Sequence, residues 1–284
     1  MAIDYDRLMA LTLEVRHTYT ARDTMLYALG IGLGADPLDE VDLRFVYEKA
    51  LLALPTLPLV LGYQASWLRE SGQELDWYRI VHGEQGLRIH GPVPVQGEVL
   101  SRLSVREVVD KGVGKGALIY TERVISDAAT GALIATADST TFCRTEGGFG
   151  GPVAPARPVH EMPTREPNIR FDFKTLSQAA LIYRLSGDTN PLHCDPALAR
   201  AVGFERPILH GMCTYGVGAW ALTRTVCGGD PSRIAAIDAR FSAPVFPGET
   251  IVTEIWVDGN DVSFRSRAIE RDIVVLSNGR AQLR

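Results

Sequence analysis

Asp188, Asn190 and His193 place a carboxylate, an amide and an imidazole within six residues, in the stretch Tyr183-Arg-Leu-Ser-Gly-Asp-Thr-Asn-Pro-Leu-His-Cys-Asp-Pro196. Adding water to an electron-poor carbon–carbon double bond needs one proton taken from water and one delivered to carbon. A carboxylate and an imidazole held over one water can share those tasks, and a histidine pKa near about 6.5 suits either role. Asn190 can hold the water or orient a partner without titrating. If the double bond is conjugated to a thioester, an enolate oxygen develops and needs preorganised donors. His210-Gly211-Met212 stands where the apolar run Met212 to Val226 begins. A helix starting there turns free N–H groups and its positive dipole end outward, and Gly211 permits close approach of a ligand to the backbone.

The same residues have plainer readings. Gly-Asp-Thr-Asn-Pro is strong turn chemistry, His193 is then a satisfied buried side chain, and His210-Gly211 an ordinary loop-to-helix junction. Spacing excludes several other chemistries. A calcium loop opening at Asp188 would need glycine and glutamate where His193 and Ala199 stand. No H-E-x-x-H or paired Cys/His spacing calls for zinc, so no metal is expected. Gly147-Gly-Phe-Gly-Gly151 lacks the lysine and following helix of a phosphate loop, and reads as a hinge. Cys194 is adjacent to His193 on a loop and does not face it. Ser186 has no G-x-S-x-G elbow. His82, in His82-Gly-Glu-Gln85, could face the pocket, with a surface or core histidine as the plainer reading.

The elements around these residues follow from pattern. Asp195 before Pro196 suits an N-cap followed by proline at the first helical position, so the motif is a loop clamped between two helices. The run 212–226 ends at Gly228-Gly229, a helix stop. Being almost wholly apolar, it must be buried by a sheet wrapped around it. Strands are expected at 99–109, 117–127 and 132–144, with the 111–116 glycines as a turn, and again at 250–258, 262–272 and 273–284. Residues 144–168 are dominated by Gly and Pro and read as a linker. Two landmarks recur across it. Tyr27 to Arg88 spans 61 residues, and Tyr183 to Arg240 spans 57, which points to an internal duplication. In the first half the counterpart of the apolar helix is broken by Pro55 and Pro58. The space left is expected to become a pocket.

The bulk numbers set the class. A chain of 284 residues with 46% hydrophobic and 22% charged residues has enough apolar surface for a sizeable core. A net charge of −5 without a Lys/Arg block argues against nucleic-acid or polybasic membrane partners. No C-x-x-C pair occurs among Cys143, Cys194, Cys213 and Cys227, so free thiols in a reducing compartment are expected. The beginning of the chain lacks the pattern of a signal peptide. The C-terminal Gln-Leu-Arg is not a Ser-Lys-Leu address. A bacterial cytoplasmic location follows as an expectation.

At these residues the sequence resembles the MaoC-like, (R)-specific enoyl-CoA hydratases, and within them the hydratase 2 unit of peroxisomal multifunctional enzyme type 2. Tyr183 to Asp195 carries the resemblance. Tyr19-Thr-Ala-Arg-Asp-Thr-Met-Leu-Tyr27, His82-Gly-Glu-Gln85 and Gly147–Gly151 extend it along nearly the whole chain. It implies an α+β double hot-dog fold: an N-terminal repeat over 1–145 that houses the acyl tail, a linker over 146–168, and a catalytic repeat over 169–284. It implies that Asp188 and His193 are catalytic, Asn190 supporting and Gly211 the oxyanion donor. The reaction implied is reversible syn hydration of a trans-2-enoyl-CoA, with no cofactor and with medium, long or bulky acyl chains accepted. His210, Arg184 and Arg206 are expected to contact the acyl-CoA substrate. Homodimerisation through exposed sheet edges is a further expectation. Dehydration of an acyl-carrier-protein substrate, thioester hydrolysis and acyl-CoA binding without catalysis stand as alternatives.

Overall fold

The computed structural model describes residues 3–155 and 157–284. Ten strands form one antiparallel sheet. They are β1 (Thr12–Tyr19), β2 (Ile80–Ile89), β3 (Gly97–Asp110), β4 (Ala117–Asp127), β5 (Leu133–Cys143), β6 (Ile169–Lys174), β7 (Ile234–Phe241), β8 (Thr250–Asp258), β9 (Asp261–Ala268) and β10 (Ile273–Leu283). The helices are α1 (Tyr5–Met9), α2 (Ala21–Ile31), α3 (Glu40–Val46), α4 (Trp67–Glu70), α5 (Ala179–Tyr183), α6 (Pro196–Ala201) and α7 (Gly211–Thr225). The strand order is β1-β3-β4-β5-β2-β7-β10-β9-β8-β6. Read outward from the β2–β7 seam, each half repeats the same chain-order pattern. The duplication suggested by sequence spacing is thus laid out in space. Arg88 and Arg240 fall symmetrically about the pairs Leu87↔Ile237, Gly86↔Asp238 and Gln85↔Ala239.

Local chemistry explains the elements. The α2 helix opens with a capping box, Thr20 and Asp23 bonding reciprocally, and closes on Gly32 in the left-handed region. The α7 helix is buried continuously from Cys213 to Thr223. Its glycines set its packing distances. A Cβ on Gly216 would lie 2.5 Å from Ile31 Cδ1 of α2, and one on Gly218 3.2 Å from Leu276 of β10. Trp220 meets Phe45 edge to face at 5.1 Å, and the Tyr215 hydroxyl donates to the Ile237 carbonyl on β7. Across the seam, α2 and α5 approach closely. A Cβ on Gly30 would stand 3.0 Å from the Tyr183 Cα.

In the first half the segment around Pro55 and Pro58 forms only a 3-10 turn, Leu57–Leu59, so the second repeat's long helix has no equal there. The expected open pocket is not what results. Ala53, Leu54, Leu57, Leu59 and Leu61 are each at most 5% exposed, and the segment fills the room a helix would take. Its carbonyls, lacking helical donors, need partners. Arg123 of β4 supplies them. Its guanidinium donates to the carbonyls of Pro58 (3.1 Å), Leu59 (2.6 Å) and Leu61 (2.7 Å), and to Ser101 Oγ (3.1 Å). Burial pulls this guanidinium down to about 10, but no carboxylate faces it among these contacts. The 147–151 glycines also differ from expectation. Rather than forming a free hinge, the amides of Gly148 and Gly150 are fastened to the Asp110 carboxylate at 2.7 and 2.9 Å.

Replacing Arg123 with methionine leaves three buried carbonyls without donors. Each such loss costs about 1–3 kcal/mol before relaxation. Arg123→Met is expected to lower unfolding free energy by roughly 2–4 kcal/mol in urea titrations. A change under about 0.5 kcal/mol, the range of an ordinary surface substitution, would contradict the clamp.

Candidate active site

The turn after α5 presents the motif. Tyr183 ends α5, residues 184–186 continue as a 3-10 turn, and Gly187 reverses the chain at φ +120°. A second 3-10 turn, Pro191–His193, was not evident from sequence. It is capped by Asn190, whose side chain accepts from the Leu192 amide at 3.1 Å. Asp188 Oδ1 in turn accepts from the Asn190 amide at 3.2 Å. As the sequence suggested, Asp195 caps α6, accepting from the amides of Ala197 and Leu198. The short loop is therefore bonded internally at nearly every residue.

Two main-chain carbonyls orient the two histidines. His193 Nδ1 lies 2.9 Å from the Ile208 carbonyl and His210 Nε2 lies 3.0 Å from the Asp188 carbonyl. A carbonyl only accepts, so each of these nitrogens carries the proton. The neutral His193 ring then keeps Nε2 as a free lone pair. Burial depresses His193, while the Asp188 charge and the Ile208 hydrogen bond oppose the fall. Burial, then the neighbouring His193, drives His210 down to about 3. The two rings stack at 3.8 Å with planes 28° apart. A carboxylate oxygen of Asp188 and one nitrogen of each ring lie within 4.8 Å of one another. This proximity suits acid–base work better than metal ligation. One nitrogen of each ring is already committed to a carbonyl, which leaves each neutral ring a single lone pair.

The other sequence candidates fall in different places. Gly211 is the first residue of α7 with His210 as its N-cap. Helix geometry leaves its amide without an intrahelical acceptor, and the first amide bonded back is Cys213, to the His210 carbonyl. A Cβ on Gly211 would sit 3.3 Å from the Phe241 ring. His210, expected at the substrate, is only 1% exposed and packs between His193 and Tyr183. Arg184 reaches the Thr189 carbonyl at 3.4 Å, and its charge is felt at His210. Arg206 pairs with Glu205 at 3.4 Å and lies over Phe246. Neither contact touches Asp188 or His193.

The first half contributes two residues that sequence reasoning did not assign. His82 on β2 stands 4.7 Å from Phe241 across the seam, next to Gly211. Burial lowers it to about 4, against the hydrogen bond to the Glu84 carbonyl and the pull of the Asp188 charge, so it lies within electrostatic reach of Asp188. Tyr63, at the end of the Arg123-clamped segment, is raised to about 12 by burial and then by Asp188. The first residue had a signal in the His82-Gly-Glu-Gln85 motif; the second had none.

Two family descriptions match the chain: "MFE-2 hydratase 2 N-terminal domain" over residues 17–145 and "MaoC like domain" over 158–278. Enoyl-CoA hydratase 2, peroxisomal, of Arabidopsis thaliana is 37% identical over 280 residues, covering 93% of this chain and 90% of its own. 3-Hydroxyacyl-thioester dehydratase Y of Mycobacterium tuberculosis is 40% identical over 261 residues, covering 90% and 88%. The crystal structure of a MaoC-like dehydratase from Phytophthora capsici superposes with TM-score 0.87 at 33% identity, covering 99% of this chain and 98% of that one. A Mycobacterium tuberculosis protein described as a double hotdog fold aligns at TM-score 0.58 and 16% identity, a likeness of fold alone.

The histidine shifts have a sign that stability measurements can check. His82 and His210 titrate at about 4 and about 3 in the folded chain, against about 6.5 when unfolded. Below pH 6.5 the unfolded chain therefore binds more protons, and stability falls as pH falls. In His82→Gln the decline between about pH 6.5 and 4 is expected to be shallower than in the wild type. Parallel curves would contradict burial of a neutral His82.

Proposed function

The chain belongs to the family in which an MFE-2 hydratase 2 N-terminal domain precedes a MaoC like domain, and from that premise we propose that it catalyses reversible syn hydration of a trans-2-enoyl-CoA to the (3R)-3-hydroxyacyl-CoA. The observation that carries the reading is the pairing of the Asp188 carboxylate with a neutral His193 whose Nδ1 is committed to Ile208. That leaves Nε2 and the carboxylate free to bind one water between them. The carboxylate and the imidazole activate the water and deliver its proton equivalents to oxygen and carbon. Asn190 braces the loop. The Gly211 amide, at the positive end of α7, stabilises the thioester oxygen as enolate charge develops. Burial of His193 and His210 supports a site from which bulk water is kept away from the enolate.

Finer features of the reading are these. The chain divides into a first repeat over 1–145, a linker over 146–168 and a catalytic repeat over 169–284, with the seam holding the repeats as a pseudo-dimer. Medium, long or bulky acyl chains would enter where the apolar segment that ends at Tyr63 now fills the room, so that segment would have to move aside for them. Arg184 is the better placed of the two arginines for a CoA phosphate, since it lies at the rim of the motif. A homodimer through the sheet edges is the weaker element, because the edge strands β1 and β6 carry Glu14, Arg16, Arg170, Asp172 and Lys174, and charged edges resist strand addition. A cytoplasmic site of action accords with the absence, among the described residues, of a helix long and apolar enough to cross a membrane.

The test is turnover of trans-2-enoyl-CoA thioesters of several chain lengths, followed by loss of the conjugated double bond. The product is identified with an (R)-specific 3-hydroxyacyl-CoA dehydrogenase. Wild-type protein is expected to form the R product. Asp188→Asn and His193→Gln should each lose roughly 10²–10⁴-fold in kcat, the range expected for a general acid–base group. Hydrolysis of the thioester without hydration would replace this reading with thioesterase activity.

A further inference from the structure

Beside the His193–His210 stack, four of the buried polar atoms without a protein partner are Tyr27 Oη, Thr56 Oγ1, Tyr183 Oη and His210 Nδ1; Arg184 Nε and Ser186 Oγ are the others among the described residues. Each of the four residues is at most 1% exposed. They come from α2, the proline-broken segment, α5 and the N-cap of α7, yet they are neighbours. The Tyr27 and Tyr183 rings lie 5.9 Å apart, and the Tyr183 and His210 rings 5.0 Å apart. The Tyr27 hydroxyl is near enough to those of Thr56 and Tyr183 for both to ease its ionisation, though burial dominates and raises it.

The chemistry of His210 gives the group a direction. Its Nε2 must carry the proton, because the Asp188 carbonyl can only accept. Nδ1 is then a lone pair sealed from solvent, and it needs a donor. The three hydroxyls meet no well-formed protein acceptor, although the Tyr27 hydroxyl lies near the other two. Leaving such groups unpaired is destabilising, and proteins meet that need with an ordered internal water holding two to four polar partners. We propose that one internal water accepts from two of the Tyr27, Thr56 and Tyr183 hydroxyls, donates to the third and donates to His210 Nδ1, and that Tyr183 is thereby a positioning residue for the catalytic loop. The chain of action runs from the hydroxyls to the His210 tautomer. From there it runs through Nε2–H to the Asp188 carbonyl, and so to the placement of the Asp188 carboxylate. The nest joins both halves of the chain, so the first half sets the geometry of a loop it does not contain.

The consequence for turnover rests on the hydratase reading; the tautomer does not, and the experiment separates them. Full-length protein labelled with 15N-histidine is compared with Tyr183→Phe, Tyr27→Phe and Thr56→Val by long-range 1H–15N correlation. His210→Gln identifies the resonance. In the wild type, His210 should be protonated at Nε2, and its Nδ1 should resonate upfield of a free lone pair, as an acceptor does. In Tyr183→Phe the Nδ1 resonance should move towards the free value, and kcat should fall roughly five- to tenfold with KM within about twofold, the effect of one lost hydrogen bond. Should Tyr183→Phe not fold, the other two variants read the same resonance. A wild-type Nδ1 that is free or protonated overturns the proposal. So do folded variants that lose thermal stability while His210 and kcat stay unchanged. If the wild type hydrates no enoyl-CoA, the resonance still decides the tautomer.

Discussion

The antiparallel seam between β2 and β7 is the constraint from which the rest of the architecture follows. It joins two five-stranded halves into one sheet. Its centre, Gly86 opposite Asp238, has no room for a side chain on β2, since a Cβ there would lie 2.8 Å from Asp238 Oδ1. The same carboxylate is held by Arg88 through two bonds of 2.7 and 2.9 Å, a fork geometry that fixes direction as well as distance. With the seam set, the helices of both halves share one face of the sheet. The contact of Gly30 with Tyr183 and of Gly216 with Ile31 then becomes compulsory. A buried helix such as α7 is stable only because both halves supply its walls.

That arrangement orients a short polar loop. The Asp188 loop holds itself through its own turns and caps, but its orientation is set from outside, by the Ile208 carbonyl on His193 and by His210 on the Asp188 carbonyl. Burial keeps His82, His193 and His210 below the ordinary histidine range, so the site enters the reaction with neutral rings and a free base. The price is three desolvated imidazoles, each of which spends one ring nitrogen on a backbone carbonyl.

Much of this was legible in the sequence where the signal is local. The helix expected over 212–226 is α7 at Gly211–Thr225, and the strand expected over 250–258 is β8. Asp195 caps α6 as its position before Pro196 foretold. These rest on periodicity, capping and turn residues, all readable within a dozen positions. The failures share one cause, a partner far away in the chain. His82 comes near Gly211 because β7 brings Phe241, which faces Gly211, against it. Arg123 is a clamp because a proline-broken segment on another layer lacks donors. The 147–151 glycines are fastened because Asp110 is near in space, not in sequence. Tyr63 carries no motif at all, and only the clamp places it within range of the Asp188 charge.

The central claim is that Asp188 and His193 act on one water from one side of the substrate. The most direct test is hydration of a trans-2-enoyl-CoA in deuterium oxide, with the relative configuration at C2 and C3 of the product read from proton couplings. A single-face reaction places deuterium and hydroxyl on the same side, giving one syn product with the R configuration at C3. An anti product, or deuterium spread over both faces of C2, would mean that the proton reaches carbon from somewhere other than this pair.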